Sequence, residues 1–170
     1  MEARKAIDSL TIMNELVLPN DTNHFDNLLG GKLMYWMDIA AAICAVKHSG
    51  MPCMTVSVDN LSFKTQVKLG STVTIEAKVS RAFNSSMEIH LRAWASFLDH
   101  KERELSNEAY FTFVALDANG KPTKVPEVVP ETEEEILHYE GAMRRRELRL
   151  VLAGKMEAKD AFELKDFLNK

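Results

Sequence analysis

Positive charge is the first thing this sequence is short of. Lys and Arg total 21 against 25 Asp and Glu, a formal net charge of -4, so the chain has no broad basic footprint for nucleic acid. A ligand bearing phosphates would have to rely on a local basic patch. Cysteine is scarce as well, with only Cys44 and Cys53. Two thiols make no disulfide framework, and neither stands in a pattern that marks an activated nucleophile. No His/Cys grouping has metal-ligand spacing, so no metal site is expected. Long apolar runs are also missing: the longest, residues 33–46, is interrupted by Asp38 and is too short to cross a bilayer. Residues 1–8 contain no apolar region of the kind a secretory signal needs. A cytoplasmic location and no membrane partner are the expectations.

What is present is an ordinary globular composition, 46% hydrophobic and 27% charged over 170 residues, enough for one domain with a full core and a short appendage. Residues 7–18 partly alternate apolar and polar and read as extended, ended by the turn chemistry of Pro19-Asn20-Asp21. A polar loop leads to Gly30-Gly31. From Lys32 to His48 the pattern is helical, and Leu33, Met34, Trp36, Met37, Ala40, Ala41, Ile43, Cys44 and Ala45 leave hardly any polar face, which predicts a buried helix. Gly50 suits its C-terminus.

Four strand-like runs follow, at 53–63, 72–82, 87–97 and 105–116, with Lys68-Leu69-Gly70, Phe83-Asn84-Ser85 and Asp99-His100 as turns. Their period of two predicts an antiparallel meander with one face covered. The fold class is therefore α+β, a sheet of about five to six strands against one central helix. Prolines 122, 126 and 130 make an irregular exit. Beyond a 1–130 domain, residues 131–170 read as a helical extension. There Thr132 and Glu135 form a capping box, helices run over 132–152 and 156–168, and Arg144-Arg145-Arg146 is the one dense basic cluster, read as a solvated face balancing Glu133 to Glu135, with a docking site for phosphates or a neighbouring subunit as the alternative.

Three features can carry chemistry. Asp38 lies among Trp36, Met37, Ile39 and Ala40 with no basic neighbour on its helix; a carboxylate in such a setting is costly unless hydrogen-bonded or functional, and can act as a general base or a nucleophile. Its structural alternative is a subunit contact or a wet gap. Gly30-Gly31 stands before the helix, where close approach and unpaired N–H groups can hold a carbonyl oxygen as charge develops on it; as a plain turn pair it would do nothing. Asp38 is seven residues past Gly31, two helical turns, so both can face one cleft. Asn23, in the turn-prone run Asn20-Asp21-Thr22-Asn23, can orient a water or a carbonyl through its amide. His24 reads as a surface loop residue.

The run from Asn20 to Asn23, then Gly30 to Ala42 around Asp38, resembles the hotdog-fold acyl-CoA thioesterases, the group of the brain-type cytosolic and YciA-like enzymes. The resemblance continues through Thr55 to Asp59, Phe63, Val67, Gly70, Asn84 to Glu88, Phe111 to Asp117 and Gly120-Lys121-Pro122, covering roughly residues 8 to 135. It implies a sheet wrapped around one helix and two protomers that pair their sheets with sites between them. Asp38 would then be the catalytic acid, Asn23 the catalytic asparagine lent by the other protomer, and the Gly31 N–H, with Gly30 beside it, the carbonyl-binding group. Arg81, Asn84, Ser85 and Ser86 fall where relatives approach the CoA nucleotide. The implied substrate is a fatty acyl-CoA, cleaved to fatty acid and CoA without a cofactor, by a dimer or a hexamer built as a trimer of dimers. The loop His24 to Leu29 departs from some relatives, which leaves the entry shape open. A hotdog hydratase would need a histidine at position 26 to act with Asp21, and Asp26 stands there. The non-catalytic alternative is an acyl-CoA binding or regulatory module.

Overall fold

The computed structural model describes residues 1–97 and 102–169, in two units, 1–129 and 130–170. In the first unit, strands β1 (Arg4–Lys5), β2 (Thr11–Leu16), β3 (Cys53–Phe63), β4 (Thr72–Ala82), β5 (Ser86–Ser96), β6 (Glu104–Ala115) and β7 (Val128–Val129) accompany one long helix, α1 (Gly30–Ser49). The main sheet is five-stranded and antiparallel, in the order β2-β4-β5-β6-β3, so β2 and β3 are its edges. β1 pairs in parallel with β7 as a separate two-stranded ribbon, within the exit that the prolines had marked as irregular.

Period-two patterning puts Val73, Ile75, Ala77 and Val79 of β4 on one face, with Met87, Ile89, Leu91 and Ala93 of β5 and Ala109, Phe111, Phe113 and Ala115 of β6. All are buried, and the register lines up Ala77 with Leu91 and Ala109, and Val79 with Ile89 and Phe111. α1 lays Leu33, Trp36, Met37, Ala40, Ala41, Cys44 and Ala45 onto this surface. Alanines on both sides bring the helix axis close to the sheet while leucine and phenylalanine fill the flanks. A sheet wrapped on one central helix is the hotdog arrangement.

The helix differs from the sequence reading in two ways. It begins at Gly30 rather than Lys32, because the Leu29 carbonyl accepts the N–H groups of both Lys32 (3.0 Å) and Leu33 (3.1 Å). It is also buried on one side only, since Tyr35, Ile43 and Val46 are exposed. The segment 7–18 is likewise not one extended run. Ser9 Oγ donates to Ala6 O at 2.7 Å and Leu10 N–H to Ile7 O, closing a 3-10 turn over 6–9 before β2 starts. The Asp99-His100 turn lies outside the described residues. No helix among the described residues is long and apolar enough to cross a membrane.

In the second unit, α2 (Glu133–Leu152) starts with the expected reciprocal cap: Glu135 N–H donates to Thr132 Oγ, and the Glu135 carboxylate accepts from Thr132 N–H. The last helix, α3 (Phe162–Leu168), is shorter than the 156–168 span expected, because only a 3-10 turn forms at 158–160. Arg144 stacks over the Phe167 ring at 4.4 Å and Arg145 donates to His138 O, so the basic cluster is partly spent on its own unit.

His48, in the last turn of α1, is 1% exposed. Its Nε2 donates to Pro126 O at 2.9 Å, and Nδ1 has no partner among the described residues. Burial, with Arg4 nearby, pushes the imidazole pKa below 6.5 despite the Pro126 carbonyl. The fold therefore accepts the neutral ring, and stability is full above pH 6.5 and declines as pH falls below it toward the folded-state pKa. Urea unfolding at pH 7.5 and 5.5 should show wild type losing up to about 1.4 kcal/mol per pH unit more than His48→Gln, whose amide keeps the Pro126 contact without titrating. Equal pH dependence in the two proteins would remove His48 as the cause.

Candidate active site

The chain enters α1 through a loop whose polar groups are nearly all committed. Asp21 takes Leu18 N–H on Oδ2 (3.1 Å) and the Lys32 ammonium on Oδ1 (3.1 Å), and its carbonyl takes Leu29 N–H (2.9 Å). The Leu18 N–H first, and Lys32 second, hold its carboxyl below the usual range. Asp21 thus fastens the loop to the first turn of the helix and is not available as a hydratase acid. Lys32 also lies over the rings of Tyr35 and Trp36, at 5.6 and 5.5 Å.

Asn23 organises the loop tip. Its Oδ1 accepts N–H groups from Phe25 (2.9 Å) and Asn27 (3.2 Å), and its backbone N–H donates to Asn27 O. This Asx turn holds Asp26 at a φ of 55, which a short polar side chain tolerates. The side-chain NH2 has no protein partner among the described residues, so the amide anchors through its oxygen and offers its donors outward. His24 is exposed and tilts against Phe25.

A helix start leaves four N–H groups without a helical acceptor. Leu29 gives its N–H to Asp21 and Lys32 gives its own back to Leu29, which leaves those of Gly30 and Gly31 unpaired among the described residues. They carry the positive end of the helix dipole. A Cβ on Gly31 would meet nothing within 4 Å, so access there is open, whereas a Cβ on Gly30 would come within 2.8 Å of the Phe63 ring. Beside this turn lies a cavity of about 170 Å³, walled by the apolar Phe25, Leu28, Leu33, Phe63 and Val67 and equally by the polar Asn23, Asn27, Thr65, Gln66 and Asn107.

Asp38 sits two turns further along α1. Thr55 Oγ, on β3, donates to its Oδ1 at 2.7 Å, which orients the carboxylate and leaves Oδ2 for other work. The expected burial is not complete: Asp38 is half-exposed in the single chain, because it points to the side of α1 that bears Tyr35. The cavity lined by Asn23 does not include Asp38. Thr55 is in register with Phe113, and Phe113 with Met87. The hairpin holding Arg81, Asn84, Ser85 and Ser86 therefore reaches the Thr55 row two strand spacings away, about 10 Å. It is pinned by Phe83 N–H to Ser86 O, Ala115 N–H to Ser85 O and Val125 N–H to Asn84 O, and Arg81 lies over the Phe83 ring.

Apolar surface surrounds this half-built site. Tyr35, Ile43 and Val46 on α1 and Met54, Val56 and Val58 on edge strand β3 are all exposed, from 39% to 58%. Surface of this kind on a free sheet edge marks an interaction site.

Residues 25–96 match the thioesterase superfamily. The acyl-CoA thioester hydrolase YkhA of Bacillus subtilis, itself uncharacterized, is 40% identical over 144 residues, 85% of this chain and 84% of that protein. The chain belongs to the thioesterase superfamily. Among solved thioesterases, an apo-hexameric acyl-CoA thioesterase superposes with a TM-score of 0.87 at 38% identity, over 90% of this chain and 98% of that one. The Staphylococcus aureus acyl-CoA hydrolase in complex with butyryl coenzyme A and coenzyme A gives 0.84 at 36% identity over 99% of both chains. That enzyme has also been solved as three single-alanine variants, one each at an asparagine, an aspartate and a threonine. These stand at the same mutual spacing as Asn23, Asp38 and Thr55 here.

Neither thiol of this thioesterase-superfamily chain suits nucleophilic work. Burial pushes Cys44 up to about 12 and raises Cys53 despite the Ser49 hydroxyl beside it. Thr55 had no assigned role in the sequence, where it was one polar position in a strand; only the crossing of α1 over β3 reveals it. Asn23 has two separable functions, and Asn23→Asp keeps the acceptor while deleting the NH2. It should unfold in urea within about 0.5 kcal/mol of wild type, whereas Asn23→Ala, losing both loop bonds, should lose on the order of 1 to 2 kcal/mol. If Asn23→Asp is as destabilised as Asn23→Ala, the Asx turn is not the anchor.

Proposed function

We propose that the protein is an acyl-CoA thioesterase that hydrolyses acyl-CoA to free acid and CoA. The observation that carries this reading is the pair of unpaired N–H groups at Gly30 and Gly31, seven residues before a carboxylate oriented by Thr55, in a chain whose full-length relatives are named for acyl-CoA hydrolysis. The thioester carbonyl oxygen accepts the Gly31 N–H, where the helix dipole favours the charge that develops on it. Asp38 takes a proton from water that attacks the carbonyl carbon, or attacks that carbon itself to give an anhydride that water then opens. CoA leaves as a thiolate, which needs no strong acid. The Asn23 NH2 supplies donors to the carbonyl or the water.

A second copy of the chain completes the site in this reading. The free β3 edge with Met54, Val56 and Val58, and the uncovered face of α1 next to Asp38, support pairing of two protomers. Asn23 would then serve its partner's Asp38, and dimers would assemble further, as in the hexameric relative. Arg81, Asn84, Ser85 and Ser86 are placed to meet the CoA moiety. CoA belongs to the substrate, no cofactor or metal is invoked, and cytoplasmic acyl-CoA is the proposed pool.

Release of CoA from butyryl-CoA, followed with a thiol reagent, is the direct test; saturable binding without turnover would leave the binding-module reading instead. Asp38→Ala should lower kcat by about 100-fold or more, the range for a lost acid–base group, with its circular dichroism unchanged. Mixed after subunit exchange, Asp38→Ala and Asn23→Ala should recover part of the activity, and no recovery would count against sites shared between protomers. Gly31→Ala meets no atom, so its unfolding should stay within about 0.5 kcal/mol of wild type. A methyl over the N–H should nonetheless cut kcat/KM about tenfold, the order set by weakening one oxyanion donor.

A further inference from the structure

Gly30 and Gly31 have no side chains with which to hold themselves in place. Glycine loses more backbone freedom than any other residue when it is fixed, helix ends fray, and Leu29 before the pair brings no capping side chain. Two ties from one residue bracket them. The Asp21 carbonyl accepts Leu29 N–H at 2.9 Å, and Asp21 Oδ1 meets the Lys32 ammonium at 3.1 Å. Positions 29 and 32 flank the glycines, so both free donors lie between anchors set by Asp21. Asp21 is fixed in turn. Its Oδ2 accepts Leu18 N–H at 3.1 Å, its own N–H donates to Leu18 O at 2.9 Å, and it ends the 3-10 turn Pro19–Asp21, 8% exposed.

We propose that Asp21 is a positioning residue for the carbonyl-binding donors, holding the Gly30 and Gly31 N–H groups in line by clamping Leu29 on one side and Lys32 on the other. The inference rests on the thioesterase reading and deepens it. Asp21 touches no reacting atom, since its carboxylate is taken up by Leu18 and Lys32. Lys32 has an electrostatic part as well. A bare carboxylate beside the helix start would oppose the negative charge that develops on a thioester oxygen, and the ammonium offsets it. Oxyanion donors act most strongly once that charge has developed, so slackness in them is felt in kcat rather than in KM. The Leu18 N–H and Lys32 hold the Asp21 carboxyl below its ordinary 3.8. The clamp is therefore charged at neutral pH and does not titrate there.

The test reads kcat and KM from CoA release, on the best cleaved of butyryl-, octanoyl- and palmitoyl-CoA, for wild type, Asp21→Asn, Lys32→Met, Gly31→Ala and the double variant Asp21→Asn/Gly31→Ala. Asp21→Asn keeps an acceptor for Leu18 N–H but loses the ion pair. Its kcat should fall about tenfold, the order set by weakening one oxyanion donor, by the same factor at pH 6 and pH 8 and with KM within about twofold. Lys32→Met releases one clamp and bares the carboxylate, so its kcat should fall at least as far. In the double variant the loss of kcat/KM should stay well short of the product of the two single losses, because both act through the same N–H. A merely structural Asp21 would instead give losses that follow the folded fraction in circular dichroism and multiply in full with Gly31→Ala. That pattern, or wild-type kcat in Asp21→Asn, overturns the inference and leaves the thioesterase reading standing. Should Asp21→Asn not fold, Lys32→Met decides, since the Leu18 and Leu29 bonds to Asp21 remain in it, and an unchanged kcat there overturns the inference. No CoA release by wild type from any of the three thioesters overturns both.

Discussion

Two backbone N–H groups at the start of α1 have no acceptor among the described residues, and the surrounding loop leaves them so. A free helix start would normally recruit a serine or an aspartate as its cap. Here the residue before the helix is Leu29, which has no capping side chain. The carboxylate of Asp21, in the loop before the helix, is taken up by Leu18 and Lys32, and the amide oxygen of Asn23 by Phe25 and Asn27. Both of these acceptors are thus engaged elsewhere. The positive end of the helix dipole is thereby left without a local cap, at the cost of the stability a cap would have given.

The central helix, the four long strands and the capping box of α2 were legible in the sequence because each has a period or a local chemical signature. Asp38, Asn23 and the two glycines were legible as residues for the same reason: a charge in an apolar run, an amide in a turn cluster, a pair of small residues before a helix. Their relations were not. That the glycines lie inside the first turn depends on the Leu29 carbonyl accepting twice, which no pattern encodes. Thr55 becomes the partner of Asp38 only because α1 crosses β3 at that height. The cavity is assembled from a loop, a helix and two strands, and the residues that wall it are distributed from Asn23 to Asn107. The half-exposure of α1 was missed because a helix apolar on all sides looks the same in sequence whether it is covered by its own sheet or by another chain.

That distinction bears on the two catalytic candidates. Asp38 faces the uncovered side of the helix and Asn23 lines a cavity that excludes it. The apolar residues on that side and on the β3 edge would be a liability in a free monomer, and they stand beside the carboxylate proposed to act in catalysis. Covering them removes water from around Asp38, which strengthens its interaction with whatever charge develops nearby.

The alanine seam between α1 and the sheet, Ala40, Ala41 and Ala45 above Ala77, Ala93 and Ala109, has an evolutionary corollary. With methyl groups on both sides, any larger residue there lifts the helix and carries the carboxylate and the glycine amides with it. Changes of substrate are therefore steered away from the helix seat and toward the loop before it, where exposed Phe25 and half-buried Leu28 lie off the helix itself. A lineage of such enzymes can diversify what it cleaves while the cleaving apparatus stays where it is.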